Sequence, residues 1–288
     1  MDFKIVTDSS ANMLDGVNSG FKVVPLKIMA GKREYTDNNN LDVEEMFEYL
    51  DICTEKTGTS CPNVEDWLSA FGSAKYVFAV TISSGLSGSC NAATIAAKLH
   101  EEKSDCKVKV IDSLSAGPEL TLIIEKLQEL IDSGRSYEEI CSAIDKYKKA
   151  THLCFVLKNL DNLARNGRVN KAVAKIAGVL NVQVVGKAGK SGEFEMTNSC
   201  RGDKKTLKVI FDNMKKSGYT GRKVRIAHCF NQKKAEALLS IIKTEFSNAD
   251  IIISPTRGLC SFYAQRGGLM VGFEGDYGNF SDNIIDND

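Results

Sequence analysis

The sequence lacks the features that would place the protein across a membrane, on nucleic acid or among secreted proteins. Its longest apolar runs, such as YVFAV and IIIS, are far shorter than the roughly 18 residues that span a bilayer. Lysine plus arginine and aspartate plus glutamate both number 37. The balanced charge predicts no nucleic-acid partner. The opening stretch MDFKIVTDSS has neither the apolar core nor the cleavage site of a signal peptide.

Cysteine and histidine do not occur in a pattern that would bind metal or build a disulfide framework. The nine cysteines are scattered and include no C-x-x-C pair, and His100, His152 and His228 lie far apart in the chain. We therefore expect no metal site and no disulfide scaffold. Most of these cysteines are expected to be reduced, small core residues of a cytoplasmic protein.

The first half of the chain alternates between strand and helix patterns. Asp42 and Asn63 stand where helix N-caps are expected, and Ser136 and Glu139 have the spacing of a capping box. Strands are predicted at FKIVTDSS, FKVVPLKI, REYT, KYVFAVTI and KVKVIDS. Helices are predicted at DVEEMFEYLD, NVEDWLSAFGSA, SCNAATIAAKLHEE, PELTLIIEKLQELIDSG and SYEEICSAIDKYKKAT. Buried strands between helices predict an α/β fold whose sheet is mainly parallel, with flanking helices.

The second half changes character and predicts a second α/β domain. A hairpin is expected in VQVVGKAGKSGEFEMTN, with Gly189 and Gly192 in its turn. Further strands are predicted at HLCFVL, KVRIAHCF, ADIIISP and GGLMVGFEG, and helices at LDNLAR, KAVAKIAGVL, GDKKTLKVIFDNMKKSG and QKKAEALLSIIKTEF. We place the boundary near residue 150, which gives domains 1–150 and 151–288. With no Pro/Gly-rich linker, the two domains are expected to pack closely and to form a cleft.

Polar side chains follow three strands of the predicted parallel sheet. They are the clusters Asp8-Ser9-Ser10, Ser83-Ser84 and Asp112-Ser113 with Ser115. Open α/β sheets bind ligands at the carboxyl ends of their strands. The clusters therefore predict a binding site at this edge of the sheet.

The stretch SSGLSGS, from Ser83 to Ser89, admits more than one function. It resembles the nucleophile elbow G-x-S-x-G, but the second glycine falls one residue early, at Gly88. A triad would also need a histidine, and His228, the best placed, is better explained as an edge or core residue of the second domain. The Gly189-Lys190-Ser191 triplet does not complete a phosphate loop, because Val184 stands where the pattern needs glycine.

A carboxylate-binding turn is the remaining interpretation of this stretch. The N-terminus of a helix offers free N–H groups to an anion, and serine hydroxyls add neutral donors. The plain alternative is that Ser87 or Ser89 only caps the following helix. Capping would use one serine and leave the others unexplained.

Two other turns have a structural and a functional interpretation. In TGTSCPN, Thr59 and Ser60 lie in a predicted turn before a helix, where they could serve as helix-entry residues or as ligand contacts. In LARNGR, Arg165 and Arg168 flank an Asn-Gly turn. Such arginines are usually solvated, but beside an anion site either could pair with a carboxylate or a phosphate.

Taken together, these motifs resemble the DegV family of bacterial lipid-binding proteins over nearly the whole chain. The matching stretches are KIVTDSSAN, TSCP, ISSGLSGSCNAA, VIDSLSAG, LDNLARNGRV and RIAHCFN, in that order. The resemblance implies a two-domain α/β fold that buries a long-chain fatty acid in an apolar tunnel. It also implies a carrier without a cofactor, not an enzyme, that presents the fatty acid to an ATP-dependent fatty acid kinase for acyl-phosphate formation. A transient contact with a membrane would accompany that role.

The resemblance assigns the carboxylate contacts to Thr59 and, among the serines of ISSGLSG, to Ser84 first. Ser60, Ser83, Ser87 and Arg168 are the neighbouring candidates. The family's C-terminal pattern G-x-H-x-G-P-G is replaced here, with Tyr263 at the histidine position and Arg266 at the proline position. Tyrosine donates one neutral hydrogen bond, so Arg266 is the candidate for the missing cation.

Arg201, which follows the predicted hairpin, matches a basic position that the family associates with kinase docking.

Three other functions remain open on the sequence alone. They are a stand-alone serine hydrolase using Ser84 or Ser87, a phosphotransferase, and a small-molecule lipid sensor without a kinase.

Overall fold

Strands and helices alternate through most of the chain, as predicted. The computed structural model describes residues 2–16, 20–170, 173 and 182–276. In the described residues the strands are β1 (Phe3–Asp8), β2 (Phe21–Val24), β3 (Lys27–Ala30), β4 (Arg33–Thr36), β5 (Thr57–Ser60), β6 (Tyr76–Thr81), β7 (Lys107–Asp112), β8 (Thr151–Leu157), β9 (Val182–Ala188), β10 (Phe194–Arg201), β11 (Val224–His228), β12 (Ile251–Pro255) and β13 (Leu269–Glu274). The α-helices are α1 (Val43–Ile52), α2 (Val64–Phe71), α3 (Ser89–Glu101), α4 (Pro118–Asp132), α5 (Tyr137–Tyr147), α6 (Asp161–Arg165), α7 (Asp203–Lys216), α8 (Gln232–Glu245) and α9 (Gly258–Ala264).

The first half forms the predicted parallel sheet, with strand order β2-β1-β6-β7 and parallel pairing throughout. Successive side chains of a strand point to opposite faces of the sheet, so one strand supplies two cores. In β6, Val77 and Ala79 pack with α2 and α3, whereas Phe78 and Val80 pack with α4 and α5. Covering both faces with helices explains why the central strand β6 is apolar from Tyr76 to Val80.

The second half forms a six-stranded mixed sheet of order β10-β9-β8-β13-β11-β12. Only β11 and β12 pair in parallel, and the other neighbours are antiparallel. One face is covered by α7 and α8, and Val156 of β8 is part of that core. The opposite face, which includes Phe155 and Leu157, belongs to a second core that α1 and α9 help to form.

A small antiparallel sheet of order β4-β3-β5 was not anticipated. The run FKVVPLKI, predicted as one strand, divides at Pro25 into β2 and β3, which join different sheets. Proline has no N–H to donate to a ladder, so it interrupts the pairing. The segment 57–60 was predicted as a turn and is instead β5, with Thr59 opposite Ile28 of β3.

Helix α4 lies between the two large sheets and contacts both. Its Leu120 and Leu127 pack in the core of the parallel sheet. On its other side, Gly272 of β13 lies so close that a Cβ there would be 2.6 Å from the backbone N of Glu119. The change from parallel to mixed sheet falls between α5 and β8. The division into domains near residue 150 stays a prediction, because α4 joins the two halves.

Several other predictions concern the C-terminal half. The hairpin of β9 and β10 is confirmed, with Gly189 and Gly192 in its turn. Helix α9 was not predicted, because its sequence GLCSFYA is short and mostly apolar and has no helical periodicity. The helix predicted at KAVAKIAGVL and the acidic tail lie outside the described residues, apart from Val173. Among the helices that the structure describes, none is long and apolar enough to cross a membrane.

Candidate functional site

An apolar cavity of about 310 Å³ lies between the mixed sheet, α9 and the loops that follow the parallel strands. Leu153, Phe155 and Leu157 of β8 form the sheet side of this cavity. Leu26 and Ile82, from the first half of the chain, line it from the other side. The binding space is therefore assembled by both halves, and its size falls in the range of natural small-molecule pockets.

Two hydroxyl groups meet at the cavity lining. The Thr59 Oγ1 and Tyr263 Oη atoms are 2.8 Å apart, and either group can be the donor. Thr59 comes from β5 and Tyr263 from α9, so the pair joins residues 204 positions apart in the chain. Both residues were predicted as ligand contacts, and the structure brings them together.

The position of Tyr263 depends on a buried carboxylate at the beginning of α9. The backbone N–H groups of Gly258 and Leu259 donate to the two Asp37 carboxylate oxygens at 2.8 and 2.9 Å. These two N–H groups have no hydrogen-bond partner within the helix, and Asp37 supplies one for each. The negative charge of its carboxylate also interacts favourably with the positive end of the helix dipole. Burial raises the pKa of Asp37 above its ordinary value, and the hydrogen bonds from the backbone oppose that rise.

A second buried carboxylate holds the loop between β6 and α3. One Asp8 oxygen accepts hydrogen bonds from Ile82 N at 2.9 Å and from Ser89 Oγ at 2.7 Å. The other oxygen accepts from the backbone and hydroxyl of Ser10. Burial raises the pKa of Asp8, against these hydrogen bonds. Asp8 and Ser10 were predicted to face the ligand, but they bond to each other and to the protein, and Ser9 Oγ accepts from Leu26 N.

The predicted serines of this loop occupy three different environments. Ser87 lines the cavity, and its Oγ also accepts a hydrogen bond from Ser89 N at 3.3 Å, near the beginning of α3. Ser83 is buried, and its Oγ accepts from Gly85 N at 3.1 Å. Ser84, the favoured carboxylate contact, is exposed and is not part of the cavity lining. Its backbone N donates to Asp112.

The four remaining candidates divide between the cavity and the surface. Ser60 and Arg168 line the cavity, and Arg168 Nε donates to the Leu86 carbonyl at 3.0 Å. Arg266 lies outside the lining, where its guanidinium is 4.5 Å from the ring centre of Phe230. The structure therefore does not bring Arg266 into the cavity lining, where a cation in place of the family histidine was predicted. Arg201 is exposed at the end of β10.

The arrangement does not favour the hydrolase interpretation. His228 is buried at the end of β11, outside the cavity lining, and its Nδ1 accepts from Asn231 N. It is thus an edge histidine of the second half, the alternative weighed from the sequence.

The Gly189-Lys190-Ser191 triplet lies in the turn of the β9–β10 hairpin, and a strand follows it. A phosphate loop would be followed by a helix.

Two features of the cavity lining were not evident from the sequence. Ser115 was noted only as one of several hydroxyls at the sheet edge. It lines the cavity and donates to Glu119 at 2.5 Å, and Thr151 donates to the same carboxyl at 2.8 Å. Burial raises the pKa of Glu119 to about 7. The second feature is the hairpin turn, since Gly192 and Glu193 also line the cavity. No local pattern signals a contact between residues so distant in the chain.

The comparison with known sequences settles the family. The profile described as "Uncharacterised protein, DegV family" matches residues 2–275. This chain belongs to the DegV family. A DegV domain-containing protein of Streptococcus pneumoniae is 42% identical over 281 residues, which are 96% of this chain and 100% of the relative.

Solved structures of DegV proteins share this fold. A DegV family protein from Eubacterium eligens, loaded with heptadecanoic acid, has a TM-score of 0.93 and 39% identity, and the match covers 95% of this chain and 100% of that one. The Fatty Acid Kinase (Fak) B3 protein of Streptococcus pneumoniae, loaded with linoleic acid, has a TM-score of 0.92 and 42% identity, over 96% of this chain and 100% of that one. The predicted DegV fold is confirmed.

Proposed function

We propose that this protein binds one long-chain fatty acid, with the acyl chain in the apolar cavity and the carboxylate at the Thr59–Tyr263 hydroxyl pair. The observation that carries the proposal is the position of that pair at the lining of a mainly apolar cavity. Two DegV proteins of the same fold hold heptadecanoic acid and linoleic acid, which supports the ligand class. Burying an alkyl chain contributes about 0.8 kcal/mol per methylene, so a cavity of this kind favours long acids.

The head-group site in this proposal relies on neutral donors. A hydroxyl of threonine or tyrosine can donate to an ionised carboxylate, and such charge-assisted bonds are stronger than neutral ones. The two hydroxyls bond to each other at 2.8 Å. With a carboxylate between them, both could donate to it. Ser87 is the neighbouring hydroxyl, and Arg168 is the cation of the lining.

We further propose that the protein presents this carboxylate to a partner kinase, which forms the acyl phosphate. The similar Streptococcus pneumoniae protein carries the name Fatty Acid Kinase B3, which supports a partner of this kind. In this arrangement the chain is a carrier and the kinase supplies ATP and the phosphoryl-transfer machinery. Arg201, exposed at the end of β10, is the candidate contact with the kinase. ATP turnover or ester hydrolysis by the isolated chain would contradict the carrier role.

Mass spectrometry of the protein expressed in bacteria tests the ligand. Native spectra should show a mass increment equal to one long-chain fatty acid, and denaturing spectra should show its release. The bond is noncovalent in this proposal, so the released protein should have the mass of the unmodified chain. Protein that stays empty after incubation with oleate and palmitate would exclude the proposal.

Substitutions test the head-group contacts. We expect Thr59→Ala and Tyr263→Phe each to weaken fatty-acid binding by about 10- to 100-fold, since a hydrogen bond to a charged group contributes roughly 1.5–3 kcal/mol. Ser240→Ala, which removes an exposed hydroxyl on α8, is the matched control. Ser84→Ala distinguishes the two assignments. If Ser84→Ala weakens fatty-acid binding and Thr59→Ala does not, the carboxylate lies at the loop between β6 and α3 and not at the Thr59–Tyr263 pair.

A further inference from the structure

The wall of the cavity contains a phenylalanine that rests directly on a glycine. Phe155 of β8 is paired with Gly186 of β9. A Cβ placed on Gly186 would lie 2.4 Å from Cε2 and 2.5 Å from Cζ of the Phe155 ring. These distances are shorter than any real contact, so a side chain at position 186 would have to displace the ring. The absence of a side chain there allows the ring to lie across β9.

Two neighbouring side chains complete this part of the wall. The ring of Phe194, at the beginning of β10, lies 4.7 Å from that of Phe155, with an angle of 36° between the planes. On the other side of β8, Met270 of β13 is the direct partner of Phe155. All three side chains line the cavity. Phe155 therefore stands in the middle of a row of side chains that crosses the sheet on its cavity side.

Met270 is held in a similar way. A Cβ on Gly117, at the beginning of α4, would lie 2.6 Å from Cε of Met270. Gly117 has a φ of +64°, a conformation that residues with a side chain rarely adopt. Two of the three side chains in the row thus occupy space that exists because a glycine stands behind them. Their positions determine how much of the cavity is left for a ligand.

We propose that Phe155, seated on Gly186, is a specificity-determining residue that limits the length of the acyl chain. This inference rests on the proposed function. Protein interiors are packed as densely as crystals, so the position of a ring in the cavity wall decides how much volume is left for the ligand. A smaller side chain at position 155 admits additional methylenes of the acyl chain. A side chain at position 186 drives the ring into the cavity and excludes them.

The matched pair Phe155→Leu and Phe273→Leu tests the inference. Both substitutions shorten a phenylalanine of the same sheet to leucine, Phe155 on β8 and Phe273 on β13. Phe155 lies on the cavity side of the sheet, whereas Phe273 belongs to the core on the opposite side. The measurement is competition among myristate, palmitate, stearate and arachidate, read by mass spectrometry on folded protein. Each methylene that gains burial should raise affinity about fourfold, the equivalent of 0.8 kcal/mol.

The expected result is that Phe155→Leu raises the ratio of arachidate to palmitate at least about fourfold relative to wild type. Phe273→Leu should leave that ratio unchanged. Gly186→Ala should move the preference toward myristate. This variant also brings the new methyl within 2.6 Å of the Glu195 carbonyl, so its folding is checked by circular dichroism. If it does not fold, the phenylalanine pair decides alone.

The outcomes separate this inference from the function on which it rests. Wild-type protein that binds no fatty acid overturns the proposed function and the inference with it. Wild-type protein that binds fatty acids, with an unchanged ratio in Phe155→Leu, overturns the inference only. An equal shift in Phe155→Leu and Phe273→Leu also overturns it, because the change would then come from a loosened sheet.

Discussion

At the scale of single residues, three buried carboxyls determine the shape of the binding region. Asp8 holds the loop between β6 and α3, and Asp37 holds the beginning of α9. Glu119 accepts hydrogen bonds from the cavity-lining Ser115 and from Thr151, and so connects them. Each accepts hydrogen bonds, yet burial raises the pKa of all three. The carboxyls therefore position other groups at the cost of some stability when they are ionised.

Glu119 should make the protein less stable as the pH rises toward neutrality. Its pKa is about 7 in the folded protein and ordinarily 4.5, so between these values the folded state binds more protons than the unfolded state. The contribution of Glu119 to the free energy of unfolding then falls with rising pH across that window, by about 3 kcal/mol in total, and is constant above it. The positive charge of Lys148 opposes the rise in pKa, but burial outweighs it.

The variant Glu119→Gln tests this pH dependence. It cannot ionise, so its free energy of unfolding, measured by urea titration between about pH 5 and about pH 8, should fall less steeply than that of wild type. Asp8 and Asp37 also have raised pKa values and remain in both proteins, so part of the slope persists. Glu48→Gln, on the exposed side of α1, is the control. Equal slopes in Glu119→Gln and wild type would contradict the prediction.

The candidate residues show how far single positions could be predicted. Thr59 and Tyr263 were proposed separately, and both lie at the cavity lining. Arg266 was proposed as the nearby cation, but it forms a 3.3 Å contact with Asp51 and lies over the rings of Phe47 and Phe230. An arginine side chain can extend in many directions. Its partners come from distant elements, so the local sequence does not reveal its direction.

At the scale of elements, helix ends were predictable because their signals are local. Asn63 accepts from Asp66 N at 2.9 Å, and the Asp66 carboxylate accepts from Asn63 N at 2.9 Å, which completes a capping box. Ser136 and Glu139 form the same arrangement at the beginning of α5. Both motifs need only residues within three positions of each other. The partner of a strand, in contrast, can be anywhere in the chain.

Strand β5 illustrates that difference. The segment 57–60 contains glycine, serine and two threonines, which favour a turn when read locally. It forms a strand because β3 offers an unpaired edge, with Ala30 opposite Thr57 and Lys27 opposite Ser60. This pairing aims Thr59 at Tyr263. The strand that supplies a proposed ligand contact could therefore not be recognised from its own residues.

The capping box at Asn63 leads to a prediction about stability. Replacing Asn63 by alanine should lower the free energy of unfolding by about 1 kcal/mol, because the Asp66 N–H loses its partner at the beginning of α2. Ser69→Ala, an exposed position in the same helix, should leave it nearly unchanged. Urea denaturation of wild type, Asn63→Ala and Ser69→Ala measures the three free energies of unfolding, fitted with one common dependence on denaturant concentration. A loss of equal size in both variants would show that the cap does not contribute.

At the scale of the whole molecule, the two halves are joined by an ion pair between α4 and β11, in which the arginine is buried and the carboxylates are partly exposed. Arg225 of β11 is 6% exposed and donates to both carboxylate oxygens of Glu125, each at 2.8 Å. It also donates to Asp250 at 2.9 Å. A planar guanidinium suits this paired geometry better than an ammonium group does. The contact fixes α4, and with it the first half, against the mixed sheet.

Removing this arginine should destabilise the protein more than removing a surface lysine. Arg225→Ala leaves Glu125 beside the sheet without its partner, and we expect a loss of about 3 kcal/mol in the free energy of unfolding. Lys107→Ala breaks the exposed contact with Glu138 and should have little effect. Thermal and urea unfolding of the three proteins would measure the difference. Similar losses of unfolding free energy in Arg225→Ala and Lys107→Ala would mean that the contact between Arg225 and Glu125 does not hold the two halves together.

The sequence by itself determined what depends on neighbouring residues and on ordered motifs. Apolar periodicity predicted most of the strands and helices, and six motifs in order identified the DegV family. The tertiary structure decided which hydroxyls share the cavity, why Ser84 faces solvent and how Phe155 rests on Gly186. Secondary structure follows from interactions a few residues apart. A cavity is the space left between several elements, so its lining exists only after those elements have packed.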